Sequence, residues 1–363
     1  QLISPGKNGI FILQSLNLSI CTFIWYKLAH HYINGYKSLL AILFTLFTLL
    51  IESSYGNMTE DWSILFISIA LLCTFRICKT VNEFVFDSIV IGVCFACVFF
   101  LRPNDAVSSI GGMGIGILCL HYKKWEGIQY LKFCGYVGLG ILSITIPIVC
   151  YFSFNHAMND FWYGLIKYNT LYTGGLLSML VDCFSVEKYV YVPILIVTGL
   201  LIYINDKKLL WIFVPMYILS YLLLGSRCYL HYFTIWMPIV FLPFGTCMFR
   251  KTTPKSMVIC AILIYFSMPI FTGKNIIKLP ISQYKSKMRD LKSAPKDYSY
   301  DYYKGAETIF NIIPNKENNV WIYNPSFCTV NALWCNRLIP INRIPLSIMA
   351  EQDTTLLRDM DIK

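Results

Sequence analysis

Long apolar runs separated by short polar interruptions dominate the first three quarters of the chain. The hydrocarbon core of a bilayer takes about 20 mainly apolar residues per helix, with a range of about 17 to 25. On that measure candidate spans fall near 9–29, 36–52, 62–78, 86–101, 104–121, 132–153, 189–204, 209–225, 230–248 and 256–272. From about residue 273 the pattern changes, with Lys, Asp, Tyr and Asn becoming common and no further span. There DYYKGAETIFNII (301–313) reads as an amphipathic helix stopped by Pro314, VWIYN as a strand ended by Asn324-Pro325, and RLIPI (337–341) as a second strand. The expected architecture is an all-α polytopic membrane domain of about ten helices over 1–272, followed by an incomplete extracytoplasmic α/β domain over 273–363.

Composition agrees with that pattern. Hydrophobic residues make up 56% of the 363 positions and charged residues only 14%, against about 25% charged in ordinary soluble domains. The formal net charge of +10 then becomes a question of sidedness. One alternate set of loops holds Lys27 and Lys37, Arg76 and Lys79, Lys123, Lys124 and Lys132, Lys207 and Lys208, and Arg250, Lys251 and Lys255. The other set holds Glu52, Glu60 and Asp61, Arg102 with Asp105, Asp160 through Lys188, and Arg227. The first set is expected to be cytoplasmic, which puts residue 1 and the tail on the outer side. Since residue 1 is Gln and no signal peptide precedes the first run, the expectation is a fragment preceded by a further helix.

Several chemistries are excluded or left without support. The five His residues (His30, His31, His121, His156 and His231) show no zinc-ligand spacing. No GxxxxGK[ST] phosphate loop occurs, and GGMGIG (111–116) lies inside a span, where small residues favour helix packing. Most of the fourteen Cys lie in apolar runs and read as small hydrophobes, including the Cys94/Cys97 pair. Cys328 and Cys335 share the oxidising side and are a candidate pair. The basic loops read as topology signals, so no nucleic-acid partner is expected.

The remaining polar residues gather at the outer ends of the spans. Asn57, Glu60 and Asp61 open the third span, Arg102 and Asn104 flank Pro103 at the end of the fourth, and Lys167, Tyr168 and Asn169 lie in an aromatic loop. Arg227, His231 and Tyr232 enter the ninth span. Each has a plain alternative. Glu60 with Asp61 also suits a solvated helix cap, Arg102 a snorkelling side chain, Lys167 an interfacial anchor, and His231 a packing residue. Ionisable groups in or beside spans are costly, however, and their convergence in one external cavity would suit a phosphate-linked lipid and a sugar.

Three segments carry a family resemblance: Gly56-Asn57-Met58-Thr59-Glu60, Phe100-Leu101-Arg102-Pro103-Asn104, and Arg227 followed by His231-Tyr232 and Pro238. With them the chain resembles the GT-C glycosyltransferases, the group that includes protein mannosyltransferases and lipid A aminoarabinose transferases. The resemblance implies transfer of a sugar, with inversion, from a polyprenyl-phosphate donor to a glycan, lipid or protein acceptor. It places the enzyme in a bacterial inner membrane, with its active face and tail outside the cytoplasm. In that family the base is an acidic residue of the first external loop, which this sequence does not contain. The residues named above are therefore expected to bind donor or acceptor, and no base is assigned. No cofactor is specified, and a divalent metal requirement stays open. A lipid-linked glycan flippase and a non-catalytic membrane protein are the competing readings.

Overall fold

The computed structural model describes residues 7–52, 59–79, 84–122, 124–167, 192–223 and 230–250. Within them every regular element is helical and no strand occurs. In chain order the main helices are α1 (Lys7–His30), α2 (Tyr36–Glu52), α3 (Thr59–Lys79), α4 (Val85–Leu101), α5 (Gly112–Leu120), α6 (Gly127–Phe154), α7 (Val192–Asn205), α8 (Leu210–Leu222) and α9 (Leu242–Arg250). Nine of the ten apolar runs thus coincide with helical segments. The tenth, 256–272, and the expected α/β tail with Cys328 and Cys335 lie outside the described residues.

The expectation of about ten membrane-length helices is met in part. Among the described residues two helices, Thr59–Lys79 and Gly127–Phe154, are long and apolar enough to cross a membrane. Helix α1 is an unbroken 24 residues, and the remaining helices are shorter or broken. The run at 104–121 is divided into a single turn (Pro103–Asp105), a π-helical turn (Ala106–Gly111) and α5. Its interruption begins at Arg102, whose extended backbone (φ −161°, ψ 104°) follows from the restriction that Pro103 imposes on the residue before it. The ninth run is likewise a 3-10 turn (Leu230–Ile235), a π turn (Met237–Phe241) and α9. Conversely α6 starts five residues earlier than its apolar core suggests, at Gly127 instead of 132. Glu126 and Gln129 form a capping box there, with Gln129 Oε1 accepting from the Glu126 N–H at 2.9 Å.

Packing follows small residues. Helix α3 lies against α1 and α4, α4 against α6, α8 against α5, and α9 against α2 and α7. At the α4–α6 crossing Gly92 and Gly140 face one another so closely that a Cβ on either would strike the other helix's backbone. Gly112 and Gly116 serve α5 in the same way. A Cβ on Gly112 would stand 2.8 Å from Met216 Cα, and one on Gly116 would stand 2.6 Å from Ile212 Cα. The GGMGIG segment is therefore a packing seam, as its composition predicts.

The interior is polar by the standards of an apolar chain. Buried Thr45, Thr48, Ser68, Thr74 and Ser88 return their hydroxyls to the carbonyl one turn back. Trp25 Nε1 donates to Ser68 Oγ at 2.8 Å, joining α1 to α3. Replacing Trp25 by Phe removes that donor while Ser68 keeps its bond to the Ile64 carbonyl. The expected loss is about 1 kcal/mol from the hydrogen bond, plus a smaller packing loss, read by thermal melting.

Charged groups sort to the two ends of the helices. At one end Lys79 Nζ donates to His31 Nδ1 at 3.2 Å, Arg76 pairs with Asp87 at 3.3 Å, and Lys37 Nζ reaches the Arg250 carbonyl at 3.5 Å. The start of α3, the end of α4 and the 3-10 turn meet at the other end, which carries the candidate site.

Candidate functional site

Three separate stretches of sequence deliver the charged residues of this site. Glu60 and Asp61 occupy the first turn of α3, where the positive end of the helix dipole favours carboxylates. Arg102 sits at the break between α4 and the Pro103–Asp105 turn, and Asp105 closes that turn. Tyr232 comes from the Leu230–Ile235 turn.

The side chains converge on Arg102. One guanidinium nitrogen, Nη1, donates to Glu60 Oε1, and Nε lies 3.6 Å from Asp105 Oδ1. The guanidinium carbon stands 3.7 Å from the centre of the Tyr232 ring, a cation–π contact. Glu60 and Asp105 are each 3% exposed, so this is a buried ionic cluster and not a solvated cap. The snorkelling alternative for Arg102 also fails, because its side chain is only 16% exposed and faces carboxylates.

A second layer holds the cluster in place. Asn17 Nδ2 donates to the Asp61 carbonyl at 2.7 Å, and Gln14 Nε2 donates to Asp61 Oδ2 at 3.2 Å. Thr59 Oγ1 donates to Glu60 Oε2 at 3.1 Å. Ser108 and Ser109, on the π turn, both direct their hydroxyls to the Asp105 carbonyl. Two buried acceptors at this end, Asp105 Oδ2 and Asn17 Oδ1, have no hydrogen-bond donor among the described residues. A buried acceptor left without a donor costs about 1 to 3 kcal/mol, so such atoms call for a reason.

Among the described residues Arg102 pairs with both Glu60 and Asp105. Arg102 is thereby committed to protein carboxylates, and the described part of the cluster holds more carboxylates than cations. It is suited to accepting hydrogen bonds and protons, and less to holding an anion.

The sequence-predicted residues divide into three groups. Glu60, Arg102 and Tyr232 are brought together, and Asp61 stands next to Glu60 in the first turn of α3, held by Gln14. Asn104 is half-buried in the turn between Arg102 and Asp105. Lys167 is exposed at the end of a π turn, over Tyr163 at 5.1 Å. Asn57, Tyr168, Asn169 and Arg227 lie outside the described residues, as does the side chain of His231. Sequence reasoning assigned no role to Asp105 and did not single out Gln14 or Asn17. The signal for Asp105 was its i, i+3 spacing from Arg102; for the other two it was a pair of amides three residues apart in an otherwise apolar run.

No group of three or more His, Cys, Asp or Glu side chains is arranged to hold a metal ion among the described residues. No family model matches the chain, and neither a curated protein nor a solved structure matches it.

Proposed function

We propose that the chain is a multi-pass membrane protein of the bacterial plasma membrane that transfers a sugar from a polyprenyl-phosphate donor to an extracytoplasmic acceptor. The observation that carries the reading is the buried Glu60–Arg102–Asp105 cluster beneath Tyr232, with two acceptor atoms that await donors. Sugar hydroxyls are such donors, and an aromatic ring beside them is the usual partner for a pyranose face.

The membrane half of the reading is supported by an inverted distribution of polarity. Helix α6 is apolar all round, yet only Phe133 and Gly140 of its 28 residues are buried. Leu131, Leu139, Leu142, Ile146 and Phe154 are exposed, while Asn17, Glu60, Asp61, Asp87 and Asp105 are inside. A helix that is apolar on every face needs an apolar environment, which here is lipid. Exposed Tyr151 in the last turn of α6 and exposed Trp162 just beyond it lie at one end, as an interfacial belt would.

In this reading Glu60 and Asp105 accept hydrogen bonds from hydroxyls, and Arg102 fixes both carboxylates. Because Arg102 is engaged, Arg227 is the residue assigned to the donor phosphate. In the reaction the acceptor hydroxyl attacks the anomeric carbon and gives its proton to a carboxylate. The bond from that carbon to the phosphate oxygen breaks, and polyprenyl phosphate leaves.

The test is sugar transfer by the purified full-length protein from a labelled polyprenyl-phosphate sugar. Loss of transfer by at least about 10-fold in Glu60→Gln or Asp105→Asn is expected, the lower end of what a hydrogen bond to a charged group contributes. Unchanged transfer in both variants, or in Arg227→Ala, would remove the corresponding role.

A further inference from the structure

Beyond the end of α6 the chain folds back on itself. His156 lies in the left-handed region (φ 54°), and the Ala157 N–H donates to the Phe152 carbonyl at 2.9 Å, which closes the reversal. The short helix Met158–Trp162 and the π turn Tyr163–Lys167 follow. Their inner side is fixed by packing. The Phe161 ring stacks on Phe152 of α6 at 4.6 Å and meets Phe100 of α4 at 6.0 Å, and Leu165, one turn on, is buried.

The remaining sides differ from one another. Met158, Trp162 and Ile166 recur every four residues along one edge, on which Trp162 and Ile166 are exposed. Asn159 and Asp160 form an exposed polar edge, and Lys167 ends the segment with its ammonium over the Tyr163 ring. An apolar edge carrying Trp beside a polar one is the pattern of a helix that lies in the plane of a membrane interface. Exposed Tyr151 and Phe154 in the last turn of α6 add apolar surface at the same end.

The depth agrees with that pattern. Phe152 stands about 38 Å along α6 from Gly127 at 1.5 Å per residue. A bilayer with its headgroup layers is about 40 to 45 Å thick. An α6 that runs along the bilayer normal and enters at Gly127 therefore brings Phe152, with Phe161 stacked on it, into the outer headgroup layer.

We infer that Met158–Lys167 is an interfacial element seated on the outer leaflet, with Trp162 and Ile166 at the boundary between headgroups and acyl chains and with Asn159 and Asp160 in water. The inference rests on the membrane half of the reading above and is independent of the sugar chemistry. Asp160 and Lys167 carry opposite charges, so the partner is the bilayer interface itself and not an anionic lipid in particular. Because Phe161 meets Phe100, two residues before Arg102, the element also ties the bilayer surface to the break that carries the buried cluster.

The experiment is quenching of Trp162 emission in the full chain reconstituted in liposomes, isolated as the difference between the wild type and Trp162→Phe. Lipids brominated near the glycerol end of the acyl chain should remove most of that emission, lipids brominated near the methyl end less, and aqueous iodide little. Adding an acidic lipid should leave the quenching unchanged. Ile166→Trp in the Trp162→Phe background moves the indole one turn along the same edge and should keep the order of the three quenchers. Emission quenched chiefly by iodide would put the edge in water and overturn the proposal. Emission that no quencher reaches would mean that protein covers the edge, and emission quenched most by methyl-end bromines would put it in the bilayer centre; either overturns the proposal as well. A chain that fails to float with liposomes overturns the membrane reading itself, whereas a floating chain whose Trp162 answers to iodide overturns only the interfacial assignment.

Discussion

Replacing Arg102 by Met is expected to lower the stability of the chain by about 3 to 5 kcal/mol, the cost of removing one partner from a buried ionic group. The substitution preserves length and apolar bulk but leaves Glu60 and Asp105, each 3% exposed, buried near one another with no counter-charge among the described residues. It also removes the cation from the Tyr232 ring, worth roughly 0.5 to 2 kcal/mol. Thermal melting in detergent checks the direction, and the double variant Glu60→Gln with Arg102→Met checks the cause. If the loss comes from an uncompensated carboxylate, neutralising Glu60 restores part of it, with a coupling energy of about 0.5 to 3 kcal/mol. Arg102→Lys should fall between, because a single ammonium cannot reproduce the fork that spans Glu60 and Asp105. A melting temperature for Arg102→Met equal to that of the wild type would mean that the cluster is not structurally coupled.

The second large effect belongs to the α4–α6 crossing. Gly92→Leu and Gly140→Leu each force a side chain into the facing helix's backbone, since even a Cβ has no room there. Overpacking a tight site costs about 1 to 3 kcal/mol and occasionally more. Here the obstacle is main chain that no rotamer change can move, so about 3 kcal/mol or more is expected. Gly135 and Gly138 on the same helix supply the control, because a Cβ at either meets nothing within 4 Å. Leu at those positions should leave melting within about 1 kcal/mol of the parent. A large loss at Gly138 together with none at Gly140 would show that α6 packs through a different face.

These two predictions separate what the sequence discloses from what it hides. Apolar runs locate the helices because uninterrupted apolar stretches longer than about 10 to 12 residues favour helix over strand. The breaks are only half legible. Pro103 announces the end of α4, but the π turns at Ala106–Gly111 and Met237–Phe241 depend on tertiary packing and leave no local mark. Arg102, Glu60 and Tyr232 were recognisable as polar residues at one end of successive runs. Their pairing was not, since 42 residues separate Glu60 from Arg102 and contact between them depends on how α3 lies against α4. Asp105 escaped notice as a site residue because it reads as part of a turn, although it supplies the second carboxylate to Arg102. The structure also changes the reasoning about charge: an arginine that looks free to grip a phosphate in the sequence is already held by two carboxylates.

The central claim is that the chain crosses a bilayer repeatedly with its acidic cluster on the outer side, and α6 tests it most directly. Lys124 and Asn159 are exposed just beyond the two ends of this 28-residue apolar helix. Each is replaced by Cys in a background whose other cysteines are substituted, and intact cells are treated with a membrane-impermeant maleimide. The account predicts that Asn159→Cys is labelled at once and Lys124→Cys only after permeabilisation. Equal labelling of both positions, or the reverse order, would contradict it.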